Sequence, residues 1–214
     1  SGKSWLRVPE TFRIELDGSL SDGVEAKDLM LTLIGRLGAD GATYKALEFG
    51  GPGIDALPMP GRLTLSNMAV EAGAKAGLMP SDERTREFLA RLGREADWRP
   101  LTADRDATYE RVVRFAADEI VPVVATPHTV DNMAIISDLE PVRVDQVLIG
   151  TCTNGRLEDL RSAARILRGR RRAATTRLIV TPASRAVAKA AAAEGLLDVF
   201  WDAGAVITNP GCGA

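Results

Sequence analysis

The sequence predicts an α/β protein built on mostly parallel sheets, and three observations carry that class. From residue 142 onward, short apolar runs alternate with segments of helical period: "VDQVLIG", "LEDLRSAARILRG", "TRLIVTP", "SRAVAKAAAAEGLLDVF" and "AVITNPG". This βαβαβ order implies parallel strands joined by right-handed crossovers. Upstream of it, helical and strand-like segments also follow one another. Finally, 214 residues with 45% apolar content can bury a core without covalent support, and two widely separated cysteines make no disulfide framework.

The elements follow in order. "WLRVPETFRIEL" (5–16) reads as extended pieces around Pro9. In "GVEAKDLMLTLIGRLG" (23–38), Leu29, Leu33, Ile34 and Leu37 recur at the helical period and Gly38 suits a C-cap. "YKALEF" (44–49) is a short strand running into the turn-rich "GGPGIDALPMPGR". A helix is expected in "SNMAVEAGAKAGLM" (66–79), a charged helical region over 81–95, and a further helix in "DATYERVVRFA". "VPVVATPHTVDNMA" (121–134) carries two prolines and reads as a connector. Beyond it, Leu157, Leu160, Ala164 and Leu167 share one helical face, and Ser184 is an N-cap for the next helix.

Charge and hydropathy remove several function classes. The net charge of −2 gives no field that points to nucleic acid or an anionic membrane. "RGRRR" (Arg168–Arg172) is the strongest local charge; at the end of a helix it reads as a solvated C-terminus more readily than as a polyanion site. No stretch of 18 apolar residues is present, and neither a signal nor a transit peptide opens the chain. The cysteine usage fits a reducing, cytoplasmic setting. The chain begins at Ser1 and stops at "NPGCGA", so both ends look cut.

The cysteines are the chemistry-bearing signal. Cys152 follows the first strand of the βαβαβ unit and Cys212 the third. In a parallel sheet both emerge at the carboxyl edge, where such sheets place ligands. They could be two buried small apolar groups, as unpaired cysteines often are. Each, however, stands in a turn, beside Thr151, Thr153 and Asn154 or between Gly211 and Gly213, which allows a ligand to approach. Asn67, Glu71 and Lys75 have i, i+4, i+8 spacing and would share one face of a helix, either as a solvated stripe or as a functional one.

"IGTCTNGRLEDLRSAARIL" resembles the first cysteine motif of the aconitase superfamily, in its isopropylmalate isomerase and homoaconitase branch. "NPGCGA" is similar to the start of that family's second motif, a C-G-x-C pair. "ALEFGGPGIDALPMPGRLTLSNMAVEAGAKAG" and "VPETFRIELDGSLSDGVEAKDLML" match the segments that precede them, so the resemblance is collinear over essentially the whole chain. It implies aconitase-like three-layer α/β/α domains: the end of a first domain in residues 1–16, a second domain in 17–127, and the beginning of a third in 128–214. It also implies a hydro-lyase that carries a [4Fe-4S] cluster and acts on a hydroxy di- or tricarboxylic acid such as 3-isopropylmalate or homocitrate.

Residue by residue, the resemblance makes Cys152 and Cys212 cluster ligands, with the third cysteine at the position after Ala214. Asn67 and Glu71 match the cluster-proximal Asn and the active-site Glu of "NMxxExGA". His128, the chain's one histidine, falls where the family needs none and is expected to be structural. The family's catalytic Asp–His groups and substrate-binding arginines lie outside the matched segments, so the 214 residues alone are expected to be inactive. The branch keeps its swivelling domain on a separate small subunit, which is the expected partner; no membrane or nucleic-acid partner is expected. A competing class is a truncated, non-catalytic relative that serves as a binding or scaffold module. A third, an electron-transfer protein, needs four local ligands and is disfavoured by two cysteines.

Overall fold

A computed structural model describes residues 2–213, which form two compact units, 2–139 and 140–213. In the first, β1 (Thr11–Asp17), α1 (Ala26–Leu37), β2 (Ala46–Gly50), α2 (Pro52–Ala56), α3 (Met59–Met68), β3 (Ala76–Leu78), α4 (Glu83–Arg91) and β4 (Arg111–Ala116) build a four-stranded sheet and its helices. The sheet order is β3-β2-β1-β4 and every pairing is parallel. The alternation in β1 explains its place: Phe12, Ile14 and Leu16 are buried, while Arg13 and Glu15 face the other way. Phe12 and Ile14 stand beside Leu47 and Phe49 of β2, and Val113 and Phe115 of β4 join the same core. Leu29, Met30, Leu33 and Ile34 of α1 and Leu65 of α3 close it. Each such side chain contributes about 1.5–3 kcal/mol when fully buried.

The helix expected at 23–38 forms as α1. Glu25 N donates to Asp28 Oδ2 at 2.8 Å, completing a capping box, and Gly38 ends the helix at φ 92. Other segments depart from expectation, among them the helix expected over 66–79, where α3 ends at Met68 and β3 begins at Ala76. "DATYERVVRFA" is not a helix; its core is β4, in which buried Val113 and Phe115 alternate with exposed Val112 and Arg114. The connector at 121–134 is a hairpin of β5 (Val123–Ala125) and β6 (Met133–Ile135), tied to α1 where Val123 N donates to Asp28 Oδ1 at 2.9 Å. The sequence places domain boundaries near residues 16 and 127. The packing places β1 inside the first sheet and carries that unit on through the hairpin to Leu139.

The second unit is the expected βαβαβ: β7 (Gln146–Gly150), a single turn α5 (Thr151–Asn154), α6 (Leu157–Leu167), β8 (Arg177–Thr181), α7 (Arg185–Ala193), α8 (Leu196–Asp202) and β9 (Val206–Ile207). Its strands are parallel in the order β7-β8-β9. Leu160 and Ala164 of α6, Leu178 and Val180 of β8, and Ala191 and Phe200 of the last two helices form its core. Ser184 caps α7 as expected, accepting from Val187 N at 3.2 Å. The helix expected over 184–200 is split in two by Gly195 at φ 70. In the Arg168–Arg172 run, Arg172 Nε donates to Gly204 O at 2.9 Å and Arg171 Nε to Asp202 O at 3.4 Å. Those two arginines therefore serve the exit from α8, where cations suit the negative end of the helix dipole. Both units are mixed α/β with mostly parallel sheets.

Candidate functional site

Both cysteines sit just past the carboxyl ends of their strands in the second unit. β7 ends at Gly150 with φ 115, and Thr151 follows at φ 72, a left-handed turn taken by a non-glycine residue. A Cβ on Gly150 would overlap the Thr181 carbonyl oxygen and lie 2.9 Å from its carbon, so only glycine lets β7 turn this tightly against β8. The turn delivers Cys152 onto α5. On the other side, Thr208 N donates to Val180 O at 3.0 Å, extending β9 by one rung before the 209–213 turn delivers Cys212. Gly213, at φ 100, closes over Thr151; a Cβ on it would sit 3.1 Å from Thr151 Cγ2.

The two sulfurs lie 3.6 Å apart, with Cys152 half-buried and Cys212 exposed. The convergence expected from strand polarity is thus present in the folded unit. The Cys212 thiol is pushed above its ordinary pKa, first by its hydrogen bond with the Cys152 sulfur, then by the charge there, then by burial. A bound cation reverses that preference, because a coordinating thiol is deprotonated.

The rest of the cysteine motif is a helix start. Arg156 N donates to Asp159 Oδ2 at 2.9 Å and Asn154 Nδ2 to Asp159 Oδ1 at 3.2 Å, a capping box at the entry to α6. Arg156 Nη2 reaches back to Cys152 O at 3.3 Å. Gly155 is pinned against the exit from β8: Ala183 N donates to its carbonyl at 2.8 Å, and a Cβ there would lie 2.6 Å from Thr181 O. Sequence reasoning did not single out Asp159, Arg156 or Thr181. An acid three residues after the start of a periodic helix is a readable capping signal for Asp159. No sequence signal marks Thr181.

Asn67, Glu71 and Lys75 belong to the first unit, and they do not share a helical face. α3 ends at Met68, a 3₁₀ turn covers Ala69–Ala72, and Gly73 is left-handed at φ 81. The helical spacing is broken because Ala69, Ala72 and Ala74 are drawn into the core and a Cβ on Gly73 would meet Thr43 Oγ1 at 2.8 Å. Asn67 and Glu71 are exposed near the end of α3, while Lys75 Nζ lies 4.8 Å above the Tyr44 ring. α3 itself is anchored by Arg62, only 1% exposed. Arg62 Nη1 and Nη2 grip Asp82 at 2.8 and 2.7 Å, and Nε and Nη2 reach the carbonyls of Leu57 and Asp55. His128 is exposed in the turn between β5 and β6.

The donor chemistry fits part of a metal–thiolate site. Two thiols are soft ligands of the kind that hold iron–sulfur groups. Among the described residues no group of three His, Cys, Asp or Glu side chains could hold a metal ion, so the pair supplies two ligands. Among the described residues, no helix is long and apolar enough to cross a membrane.

Comparison with known proteins gives a consistent answer. The chain is 58% identical to 3-isopropylmalate dehydratase large subunit 2 of Archaeoglobus fulgidus over 212 residues, 99% of this chain and 51% of that protein. It is 52% identical to 3-isopropylmalate dehydratase large subunit 1 of Thermotoga maritima, over 99% of this chain and 51% of the relative. It is 48% identical to the probable methanogen homoaconitase large subunit of Methanosarcina mazei, over 100% of this chain and 54% of the relative. The chain therefore spans about half the length of the curated relatives it matches. Among solved structures, aconitase X of Thermococcus kodakaraensis matches with a TM-score of 0.49 at 15% identity, over 95% of this chain and 44% of its own. The family model for the aconitase family (aconitate hydratase) matches residues 1–214, and with relatives this similar along its whole length the chain belongs to the aconitase family.

Proposed function

We propose that residues 1–214 are a segment of a hydro-lyase large subunit. It would isomerise a hydroxy di- or tricarboxylic acid, such as 3-isopropylmalate or homocitrate, with a [4Fe-4S] cluster and a separate small subunit. The observation that supports this most directly is the 3.6 Å pairing of Cys152 and Cys212 at the carboxyl edge, in a chain of this family. When bound, the cluster would supply a Lewis acid at an iron with an open coordination position.

The chain's own residues would do the following. Cys152 and Cys212 hold two irons as thiolates, with a third thiolate expected from the residue after Ala214. The glycines of both turns let the backbone close in around the thiols. The Asn67 amide orients substrate and the Glu71 carboxylate exchanges a proton with it; these two assignments rest on the sequence match. The 214 residues alone are expected to be inactive.

The test is iron and sulfide content of the whole protein, purified without oxygen, with turnover of 3-isopropylmalate and homocitrate measured beside it. Close to four irons per chain is expected, falling sharply in both Cys152→Ser and Cys212→Ser. Wild-type protein that neither carries nor takes up iron and sulfide would sink the proposal. Salt-sensitive retention on a polyanion column together with no turnover would favour a binding module instead.

A further inference from the structure

The two cysteine-bearing turns belong to different strands, β7 and β9, and the strand between them is β8. The last residue of β8 is Thr181, 1% exposed and one of few buried polar side chains among the described residues. Its backbone pairs with Gly150 in the β7–β8 register, and its carbonyl oxygen fills the space that a Cβ on Gly150 or Gly155 would need. Thus Thr181 presses on both ends of the turn that carries Cys152. Its hydroxyl points the other way along the sheet edge and lies 2.6 Å from Thr208 Oγ1. Thr208 is the residue from which the chain leaves β9 toward Cys212, and its hydroxyl also reaches Asn209 O at 3.4 Å.

We infer that Thr181 and Thr208 are positioning residues for the thiol pair, and that the hydroxyl–hydroxyl bond between them sets the Cys212 turn against the Cys152 turn. A buried hydroxyl is retained at a cost unless it is bonded, and a valine of the same shape would suit the end of β8 without one. β9 is only two residues long, Val206–Ile207, so few ladder bonds fix where its exit loop goes. Beyond them, Thr208 N to Val180 O and the Thr181–Thr208 bond extend the hold of β8 on that exit. The assignment of the pair to a cluster rests on the function proposed above; the positioning of one thiol against the other does not.

The experiment measures thiol proximity without a cluster. Iron-free whole protein is equilibrated with a glutathione redox buffer, and the peptides joined through Cys152 and Cys212 are quantified by mass spectrometry. One thiolate displaces glutathione from glutathione disulfide and the second displaces the other glutathione, so one protein disulfide forms per glutathione disulfide reduced to two thiols. The equilibrium gives the effective concentration of one thiol at the other.

Thr181→Val and Thr208→Val are each expected to lower it by about tenfold, the factor one ordinary hydrogen bond can carry. The double variant should lose no more than either single one, and Thr181→Ser should restore the wild-type value. Thermal unfolding recorded beside it separates a general loss of fold from a misplaced turn. Wild-type effective concentration in Thr181→Val, or additive losses in the double variant, overturns the inference. Iron and sulfide uptake by the same proteins tests the cluster reading separately. Wild-type protein that pairs its thiols but takes up no iron refutes that reading and leaves the positioning result standing.

Discussion

Gly150→Ala isolates what holds the Cys152 turn. Two costs are built into the position. The backbone is at φ 115, ψ −123, a conformation that L-residues avoid at about 1–3 kcal/mol. The new Cβ also overlaps the Thr181 carbonyl, which is backbone in the middle strand and cannot rotate away; forcing such an overlap costs about 1–3 kcal/mol more. The total is on the order of 4 kcal/mol, against roughly 4–11 kcal/mol of net stability for a unit this size. Two other glycines separate the terms. Gly169 has φ 70 with nothing near its missing Cβ, so Gly169→Ala carries only the conformational cost, about 1 kcal/mol. Gly155 has an ordinary φ of −108 but a Cβ there would sit 2.5 Å from Thr151 O, so Gly155→Ala carries only the overlap. Chemical denaturation followed by circular dichroism ranks the three. If Gly150→Ala costs no more than Gly169→Ala, the contact with Thr181 is not what fixes the turn.

Further outcomes follow from two other contacts. Arg62→Met strips Asp82 and three carbonyls of a partner that is 1% exposed, and about 3–5 kcal/mol of stability should go, read as a fall in denaturation midpoint. The Asp82 carboxyl is raised by burial but held below its ordinary pKa overall by Arg62 and the Thr85 amide. A depressed carboxylate stabilises above its unfolded pKa and loses that contribution as pH falls through the folded value. Wild-type stability should therefore drop below about pH 4, and Arg62→Met should flatten that acid limb in a pH series of unfolding curves. Asp159→Ala removes the acceptor for Arg156 N and Asn154 Nδ2 at the start of α6, and should cost about 1 kcal/mol in the same assay.

What was legible in the sequence was whatever a local rule dictates. α1 announces itself by period and caps at both ends, and the βαβαβ alternation fixed strand polarity well enough to bring two cysteines together. β4 reads as a helix because Tyr109, Val112 and Val113 stand at i, i+3 and i+4; the alternation of Val113 and Phe115 against Val112 and Arg114 becomes decisive only beside β1. The helix through Asn67, Glu71 and Lys75 was misread because alanine favours helix wherever it stands. After α3 ends at Met68, what keeps the helical run from continuing to Lys75 is the 3₁₀ turn Ala69–Ala72 and the left-handed Gly73 beside Thr43, a neighbour thirty residues away that propensity cannot see. The Thr181–Thr208 bond is illegible for the same reason, since it needs the order β7-β8-β9 before either hydroxyl has a partner.

That order also explains why the thiols can sit on turns and still be well placed. A turn residue has few ladder bonds of its own, so its position must be borrowed from a neighbour that is fixed. β8 is that neighbour: Leu178, Ile179, Val180 and Thr181 are all buried, and it is hydrogen-bonded on both sides. Cys152 borrows from it through the Thr181 carbonyl and Cys212 through the Thr181 hydroxyl. On the positioning inferred above, the end of β8 would thus set both turns, the Thr181 carbonyl by the space it denies a Cβ at Gly150 and Gly155 and the hydroxyl by its bond to Thr208. A change in the helices of this unit should lower stability without moving the thiols relative to each other, whereas a change at the end of β8 should move the thiols first.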